Sequence, residues 1–225
     1  MRQLVVGLGE VGGPLRDILH ADGYDLKDGP WLEAVAYDVL HVAYPYGPDF
    51  VKSVRGYAEA FQPGLVIVHS TVPVGTTRQL GRDAVHSPVN GRHGLMYKDL
   101  LNVMKWCGGP RAQDAADIFL DAGMHAVAYD TADQTEALKL LCLTQYGVDN
   151  AFARYRERVG KAVGLTHDDF AIWTDIYNDN LNPDQRRPLL KPDGSRIGGH
   201  CVVPGASLLH RDYPSLLTLA VLEHK

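Results

Sequence analysis

A glycine-rich turn close to the N-terminus constrains the possible folds more than any other feature of the sequence. The turn reads Gly7-Leu-Gly9-Glu-Val-Gly12. It follows the apolar run RQLVV at residues 2–6 and precedes a stretch, about 11–21, whose apolar residues recur at helical spacing. In such a strand, turn and helix, the first glycine permits the tight turn and the second lets a pyrophosphate approach the backbone. The third lets the helix pack closely on the strand. The pattern therefore predicts a dinucleotide-binding turn with the phosphates at the helix N-terminus.

An acidic residue is expected about 20 residues after such a turn, at the end of the second strand, where it binds the adenosine ribose. Asp28 fits this position best, and Asp25 is the second choice. A carboxylate there favours NAD over NADP because it repels a 2′-phosphate, although Lys27 beside it counts against that preference.

Apolar, β-branched runs alternate with helical stretches through the first half of the chain. Further strands are predicted at residues 24–28, 38–45, 64–70, 84–87, 102–109 and 126–130, and a helix is predicted at 50–61. Strands that alternate with helices indicate a parallel sheet covered on both faces. The sequence therefore predicts an α/β class fold, with a doubly wound Rossmann domain over residues 1–130.

The pattern changes after this point to helices alone. Residues 134–163 contain no proline and carry apolar residues among charges, with Asp133 as the predicted cap and Glu136 at the capping-box position. A helix of this length suggests a spine between domains or subunits. The sequence therefore predicts a smaller, all-helical domain over residues 131–225 with a long central helix.

The rest of this half is divided by turn-forming residues. Thr166 is predicted to cap a helix, residues 178–200 are rich in proline and glycine and are predicted to be largely loop, and a final helix is predicted at 214–224. The segment RIGGHCVVPGASLL at 196–209 is expected to present Cys201 from a loop.

Composition narrows the function classes. The chain has 225 residues, 45% of them hydrophobic and 22% charged, with a net charge of −5. This balance is that of a globular protein and argues against a dedicated nucleic-acid or membrane-surface binder. No apolar run reaches the roughly 18 residues of a membrane span. Its three widely spaced cysteines form neither a disulfide framework nor a CxxC pair, and a reduced, cytoplasmic location is expected.

Several segments together resemble one enzyme family, the UDP-glucose/GDP-mannose dehydrogenases. The segments, in the family's order, are GLGEVGGPL at 7–15, HSTVPVGTT at 69–77, the weaker HSPVNGRHGLMYKD at 86–99, EALKLLCLTQYGVDNAF at 136–152 and IGGHCVVPGASLL at 197–209. The resemblance implies a Rossmann NAD-binding domain followed by a helical dimerisation domain, with a homodimer formed through the 134–163 helix. The family's third domain, which binds the nucleotide of the sugar, would begin where this sequence ends. Either the sequence was trimmed or the substrate is held differently.

The resemblance also implies a set of site residues. The expected cofactor-binding residues are Gly7, Gly9, Glu10, Val11, Gly12, Asp28, Tyr44, Pro45, Ser70 and Thr71, and the cofactor is NAD. Family members oxidise a sugar alcohol to the acid in two hydride transfers to NAD, and a cysteine forms the thiohemiacetal needed for the second transfer.

Three residues match the family's catalytic positions. Cys201 matches the cysteine, and His200 beside it could lower the pKa of the thiol. Lys139 matches a lysine that stabilises developing oxyanions, and Thr71 matches a threonine near the nicotinamide. Each has a structural alternative: a buried cysteine, a surface lysine with an apolar stem, and a helix N-cap.

Four positions depart from the family pattern. Leu143 replaces an asparagine, Gly205 an aspartate and Val89 a glutamate, and His93 stands at a further acidic position. Losing one polar partner of this kind typically costs on the order of 100-fold in rate, so these departures argue against the full four-electron oxidation. His93 is either a substitute general base or an exposed loop histidine.

Two functions remain open at this point. One is an NAD-dependent oxidoreductase that acts on a sugar-like or other small substrate. The other is a non-catalytic NAD(H)-binding homologue that serves as a sensor or partner subunit. A metal site of His200, Cys201 and His210 is disfavoured because their spacing matches no standard zinc pattern.

Overall fold

A computed structural model describes residues 1–25, 27, 35–180, 185–191 and 199–223. The chain divides into two compact units, Met1–Lys139 and Leu140–Lys225. The division falls inside the long central helix, nine residues after the predicted boundary between residues 130 and 131.

The first unit is built on one seven-stranded sheet. Its strands are β1 (Gln3–Val6), β2 (Asp22–Tyr24), β3 (Val39–Val42), β4 (Leu65–Val68), β5 (Ala84–His86), β6 (Lys105–Gly108) and β7 (Ala126–Tyr129). The strand order is β2-β1-β3-β4-β5-β6-β7, and every neighbouring pair is parallel except β5 and β6. The strands β3 and β4 are buried throughout, as expected for strands covered on both faces.

Helices cover both faces of this sheet. They are α1 (Gly12–Leu19), α2 (Phe50–Phe61), α3 (Met96–Asn102) and α4 (Ala112–Asp121), with a short 3-10 helix at Thr77–Leu80. Successive strand residues alternate between two apolar clusters: Val39 packs in the cluster with Leu15 of α1 and Phe119 of α4, and Leu40 in the cluster with Phe61 of α2. The predicted doubly wound Rossmann arrangement is confirmed.

The structure corrects three details of this prediction. The second strand ends at Tyr24 rather than spanning 24–28, and the described residues 25 and 27 lie outside it. β6 runs antiparallel to β5 and not parallel as predicted. The prediction is wrong here because a buried apolar run does not encode the direction of a strand. The helices α3 and α4 were not predicted, although α4 buries Ala112, Ala115, Ala116 and Phe119 on one face.

The second unit is helical, as predicted. It holds most of α5 (Ala132–Val163), followed by α6 (His167–Asp179), α7 (Gly199–Asp212) and α8 (Leu216–Leu222). A core cluster forms from Ala151, Val202, Ala206 and Val221. The predicted Thr166 cap is confirmed, since its side chain accepts from the Asp169 backbone N–H and the Asp169 carboxylate accepts in return.

Two predictions for the helix starts are wrong. Helix α5 begins at Ala132, and the Gln134 side chain accepts from the Thr131 N–H in the place given to Asp133 and Glu136. The segment from Gly199 to Asp212 is a helix rather than a loop, with Pro204 inside it. Cys201 therefore lies in the first turn of α7. Residues 192–198 lie outside the described part of the chain.

Within the described residues, no helix is both long enough and apolar enough to cross a membrane.

Candidate functional site

The glycine turn lies where the strand order of the sheet reverses, between β1 and β3. β1 is flanked by β2 on one side and by β3 on the other, which leaves a crevice at the carboxyl ends of β1 and β3. Gly7, directly after β1, has φ +91°, and a Cβ atom there would lie 3.0 Å from the Ala43 carbonyl after β3. Only glycine fits this turn without strain.

The other two glycines of the turn meet opposite surroundings. A Cβ atom on Gly12 would lie 1.8 Å from the Gly7 carbonyl oxygen, so the helix packs as closely as a bare backbone allows. A Cβ atom on Gly9 would meet nothing within 4 Å, so the backbone there is open to an approaching group. The N-cap residue of α1 is Val11, whose side chain has no polar atom and so cannot cap the first N–H groups of the helix. Close packing at one glycine and open space at another fit a dinucleotide pyrophosphate.

Asp25 is the carboxylate that the structure places at the end of β2. Its Oδ2 accepts from the Leu8 N–H of the glycine turn at 2.9 Å, and its Oδ1 accepts from the Lys27 N–H at 3.1 Å. These backbone bonds lower the pKa of Asp25, so the group is a carboxylate at neutral pH. Asp28, the first choice from the sequence, lies outside the described residues.

Glu10 of the glycine turn and His93 contact each other. The Glu10 carboxylate contacts His93 Nδ1, and both side chains are partly exposed. The histidine therefore does not lie in an isolated surface loop. The pair joins the glycine turn to the segment that follows β5.

Tyr44 and Ser70 follow the parallel strands β3 and β4, at the same edge of the sheet as the glycine turn. The Ser70 hydroxyl, after β4, donates to the Tyr44 carbonyl at 2.6 Å, and the Tyr44 hydroxyl donates to Ser53 Oγ at 3.2 Å. Burial raises the pKa of Tyr44 to about 12, so the phenol stays neutral. Pro45 follows Tyr44 and is exposed.

Thr71 begins the segment 71–77, which is held by hydrogen bonds to Glu136, a fully buried residue of α5. The Glu136 carboxylate accepts from the Gly75 N–H at 2.6 Å and from the Thr77 N–H at 2.8 Å. The next helix begins at Thr77 with Thr76 as its N-cap, so Thr71 is not a helix cap. The sequence pattern predicts a capping role for Glu136, whereas the structure shows it binding backbone N–H groups, one of them 59 residues away along the chain.

Lys139 is buried and is not a surface lysine. Its Nζ donates to the Val89 carbonyl at 2.8 Å and to the Asn90 side-chain oxygen at 3.2 Å. The ammonium thus lies against the segment after β5, at the position where the family resemblance expects a glutamate. A backbone carbonyl and Asn90 take that place, and no side-chain pattern could have identified the carbonyl.

The cysteine lies in the second unit, where two departures from the family pattern contact each other. Cys201 is exposed in the first turn of α7, and the side chain of His200 lies outside the described residues. A Cβ atom on Gly205 would lie 2.7 Å from Leu143 Cδ1, so the leucine covers the glycine directly. An apolar contact therefore stands where the family places an aspartate and an asparagine.

Known dehydrogenases are similar to this chain in sequence and in fold. No family model matches the chain. The chain is 28% identical over 163 residues to the UDP-N-acetyl-D-mannosamine dehydrogenase of Methanocaldococcus jannaschii, a match that covers 68% of this chain and 36% of the relative. The chain thus spans about a third of that protein's length. The predicted resemblance to the UDP-sugar dehydrogenases is confirmed.

Solved structures share the fold at low identity. A UDP-D-ManNAc dehydrogenase from Pyrococcus horikoshii has a TM-score of 0.81 at 19% identity, with 100% of this chain and 68% of that chain covered. The 3-hydroxyisobutyrate dehydrogenase of Mycobacterium tuberculosis has a TM-score of 0.73 at 16% identity, with 99% and 92% covered. The same fold therefore occurs in dehydrogenases named for a nucleotide sugar and for a small hydroxy acid.

Proposed function

We propose that this protein is a nicotinamide-dinucleotide-dependent dehydrogenase that oxidises an alcohol of a sugar-like or other small substrate. The observation that carries the proposal is the glycine turn, where Gly7, Gly9 and Gly12 each meet the surroundings that a pyrophosphate requires. The similarity to a curated dehydrogenase supports the same conclusion. The bound dinucleotide supplies a hydride acceptor, and the chain's own residues bind, orient and polarise the substrate.

Four side chains are proposed to act on the substrate. Lys139, fixed by the Val89 and Asn90 oxygens, stabilises negative charge on the substrate oxygen as the alcohol is oxidised. Thr71 orients the substrate beside the nicotinamide. Neutral His93, whose Nδ1–H donates to Glu10, accepts the alcohol proton at Nε2. Cys201 is proposed as a nucleophile towards an aldehyde substrate, which it would hold as a thiohemiacetal.

We propose NAD as the preferred dinucleotide, bound by the first domain. The Asp25 carboxylate at the end of β2 supports this choice, because a fixed negative charge favours a ribose hydroxyl over a 2′-phosphate. The helical domain is proposed to carry Cys201 and the subunit contact.

The substitution Gly9→Ala is expected to weaken NAD binding by about tenfold or more, because its methyl group occupies the space through which the pyrophosphate approaches. NAD is expected to bind more tightly than NADP in the unsubstituted protein. Both are measured by isothermal titration of the purified chain.

Gly56→Ala is the matched control. Gly56 lies in α2, and a Cβ atom there also meets nothing within 4 Å, so this variant should bind NAD as the original does. Equal NAD affinity in all three proteins would contradict the proposed site. Mass spectrometry of molecules released by denaturing the purified protein would identify a co-purified dinucleotide and substrate.

A second function is favoured by the contact between Leu143 and Gly205. This apolar contact removes the polar groups that the family resemblance places beside the cysteine, as expected for a dinucleotide-binding sensor or partner subunit without turnover. The two functions share NAD binding and differ in turnover. Screening UDP-N-acetyl-D-mannosamine, UDP-glucose and 3-hydroxyisobutyrate for NADH production separates them.

We also propose that two copies associate through α5. Large apolar side chains are exposed along this helix, namely Leu141, Tyr146, Phe152, Tyr155, Val159 and Val163. Phe152, Val159 and Val163 share one face at helical spacing, and Phe152 is 61% exposed. Such a face on a long helix is typical of a subunit contact.

The double substitution Phe152→Glu/Val159→Glu is expected to convert the dimer to a monomer, because it places carboxylates in the apolar contact. Sedimentation equilibrium measures the change. Lys161→Glu, on the opposite face of the same helix, is the control and should leave the dimer intact. A strictly monomeric original protein at high concentration would contradict the proposal.

A further inference from the structure

A buried row of nitrogen side chains crosses the interior of the first unit, outside the candidate cleft. It consists of Lys105 at the start of β6, His69 after β4 and His41 in β3, with exposed fractions of 2%, 4% and 0%. A buried lysine and two buried histidines in contact are costly unless their hydrogen bonds are satisfied. Each of these three side chains is therefore expected to have hydrogen-bond partners in the interior.

These side chains form one continuous chain of hydrogen-bond contacts. Lys105 Nζ lies 3.3 Å from His69 Nδ1, and His69 Nε2 lies 3.0 Å from His41 Nδ1. His41 Nε2 lies 2.9 Å from Oε1 of Gln3, at the start of β1. Gln3 is partly exposed and lines a surface pocket of about 380 Å³ together with Met1, Arg2, His20 and Asp22. These hydrogen-bond contacts thus connect the protein surface to the buried amino group of Lys105.

The inner end of this chain holds the segment that follows β5. Lys105 Nζ donates to the Ser87 carbonyl at 2.9 Å and to the Pro88 carbonyl at 3.2 Å. The next carbonyl, that of Val89, accepts from Lys139. Two lysines therefore bind consecutive carbonyls of one segment.

The surroundings keep the imidazoles neutral and make the lysine titratable. The groups that face Lys105 are His41 of β3, His69 after β4, His86 of β5, Cys107 of β6, Lys139 of α5 and the ring of Phe119 of α4. Within the described residues Lys105 forms no ion pair, and burial is the main cause that lowers its pKa to about 7, with Cys107 opposing and Lys139 adding to the shift. Burial also lowers the pKa of His41 to about 3 and that of His69 well below its usual value.

A neutral imidazole carries one proton, so the donors of this hydrogen-bond chain can all point away from Lys105 or all point towards it. When Lys105 is charged, its ammonium donates to two neighbouring acceptors, the Ser87 carbonyl and His69 Nδ1. His69 Nε2–H then donates to His41 Nδ1, and His41 Nε2–H donates to Gln3 Oε1. When Lys105 is neutral, His69 Nδ1–H donates to the Ser87 carbonyl at 2.8 Å. His41 Nδ1–H then donates to His69 Nε2, and the Gln3 amide turns to donate to His41 Nε2.

We propose that Gln3, His41, His69 and Lys105 form a proton relay between the surface pocket at the start of β1 and the carbonyls at the end of β5. When the Gln3 side chain turns aside, a proton from water in the pocket binds His41 Nε2 and the His41 Nδ1 proton moves to His69 Nε2. The His69 Nδ1 proton leaves its bond with the Ser87 carbonyl and moves to the neutral Lys105 Nζ, 3.3 Å away. One proton enters and one positive charge appears on the lysine. The relay stands independently of the proposed dehydrogenase function, since it uses none of the cleft residues.

The relay is tested by following the tautomers of His41 and His69 in the ¹⁵N- and ¹³C-labelled chain of 225 residues. Long-range ¹H–¹⁵N correlation spectra distinguish Nδ1–H from Nε2–H. Between about pH 5.5 and about pH 9, which bracket the lysine titration, both rings should change together from Nε2–H to Nδ1–H. The ¹³Cε resonance of Lys105 should titrate with the same midpoint.

His86 is the internal control. It is also buried, and its Nε2 lies 3.2 Å from the Ser70 carbonyl, which can only accept. Unlike His69, it makes no hydrogen bond to a lysine among the described residues, so no ammonium can replace its proton and it should stay Nε2–H throughout. In Lys105→Met, His41 and His69 should stay Nδ1–H at every pH. A fixed tautomer in either ring of the original protein, separate midpoints, or a tautomer change that persists in Lys105→Met would overturn the relay. The coincidence of midpoints in the original protein decides the matter if the variant does not fold.

Discussion

Gly12→Ala is expected to lower the free energy of unfolding by about 3 kcal/mol, which for a chain of this size lowers Tm by roughly 6–12 °C. The added methyl carbon would lie 1.8 Å from the Gly7 carbonyl oxygen, 2.9 Å from the Gly7 carbonyl carbon and 3.2 Å from Ala43 Cβ. Two of these atoms are backbone at the end of β1, so the clash is relieved only if α1 moves away from the sheet. Thermal and urea unfolding measure the loss.

The neighbouring glycine is a close control for this substitution. Gly13 lies in the same first turn of α1, and a Cβ atom there would meet its nearest neighbour, the Leu8 carbonyl oxygen, at 3.5 Å, an ordinary contact. Gly13→Ala should therefore leave stability unchanged or raise it by up to about 1 kcal/mol, since alanine favours a helix. If the two variants unfolded at the same temperature, the close approach of helix and strand would not be the reason for glycine at Gly12.

The glycine turn shows what the sequence predicts well. The residues Gly7 to Gly12 have roles that follow from local backbone geometry, and the structure places Gly7 and Gly12 in the strained and close-packed positions expected of them. Most of the strands can be predicted for a similar reason, since β1, β3, β4 and β7 lie in apolar runs. The strand β2 has the sequence Asp22-Gly23-Tyr24, which is not an apolar run, and its predicted bounds are wrong. The antiparallel direction of β6 cannot be predicted from its sequence. A strand covered on both faces is apolar in either direction, so the same residues fit a parallel or an antiparallel neighbour.

The helix α7 shows where turn-forming residues mislead. Gly198, Gly199 and Pro204 indicate a loop by composition, yet Gly199 begins the helix and Pro204 lies in its second turn. A glycine at a helix end costs little, and Val202, Ala206 and Leu209 recur at helical spacing on a buried face. The packing of that face outweighed the local preference.

The contacts of the candidate site depend on parts of the chain that are far apart in sequence. Lys139 was identified from the resemblance, but its partner is the Val89 carbonyl, 50 residues away, and every residue type carries a carbonyl. The relay of His41, His69 and Lys105 was missed for the same reason. Its signal was a basic residue inside each of three strand-like runs, namely DVLHVAYP, VIVHS and VMKWCGG.

Lys139→Met and Cys201→Ser are each expected to reduce NAD-dependent turnover about 100-fold or more while NAD binding is retained, with an aldehyde as the substrate for the cysteine variant. Methionine keeps most of the length of the buried Lys139 side chain and removes its charge, so the loss mainly reports charge stabilisation. Serine at Cys201 removes the thiolate that would add to an aldehyde. Stopped-flow detection of NADH gives the rates, and titration of NAD gives the affinity.

Matched residues of the same chain serve as controls. Lys98 is an exposed lysine on α3, and Cys142 is an exposed cysteine on α5, so Lys98→Met and Cys142→Ser should keep full turnover. Because Cys142 and Cys201 are both exposed, exposure alone gives them similar rates of alkylation by iodoacetamide. Faster alkylation of Cys201, slowed by bound substrate, would support its chemical role.

Full turnover in both Lys139→Met and Cys201→Ser would contradict the catalytic assignment. NAD binding without turnover of any substrate in the original protein would favour the sensor or partner subunit, for which the contact between Leu143 and Gly205 is the structural reason.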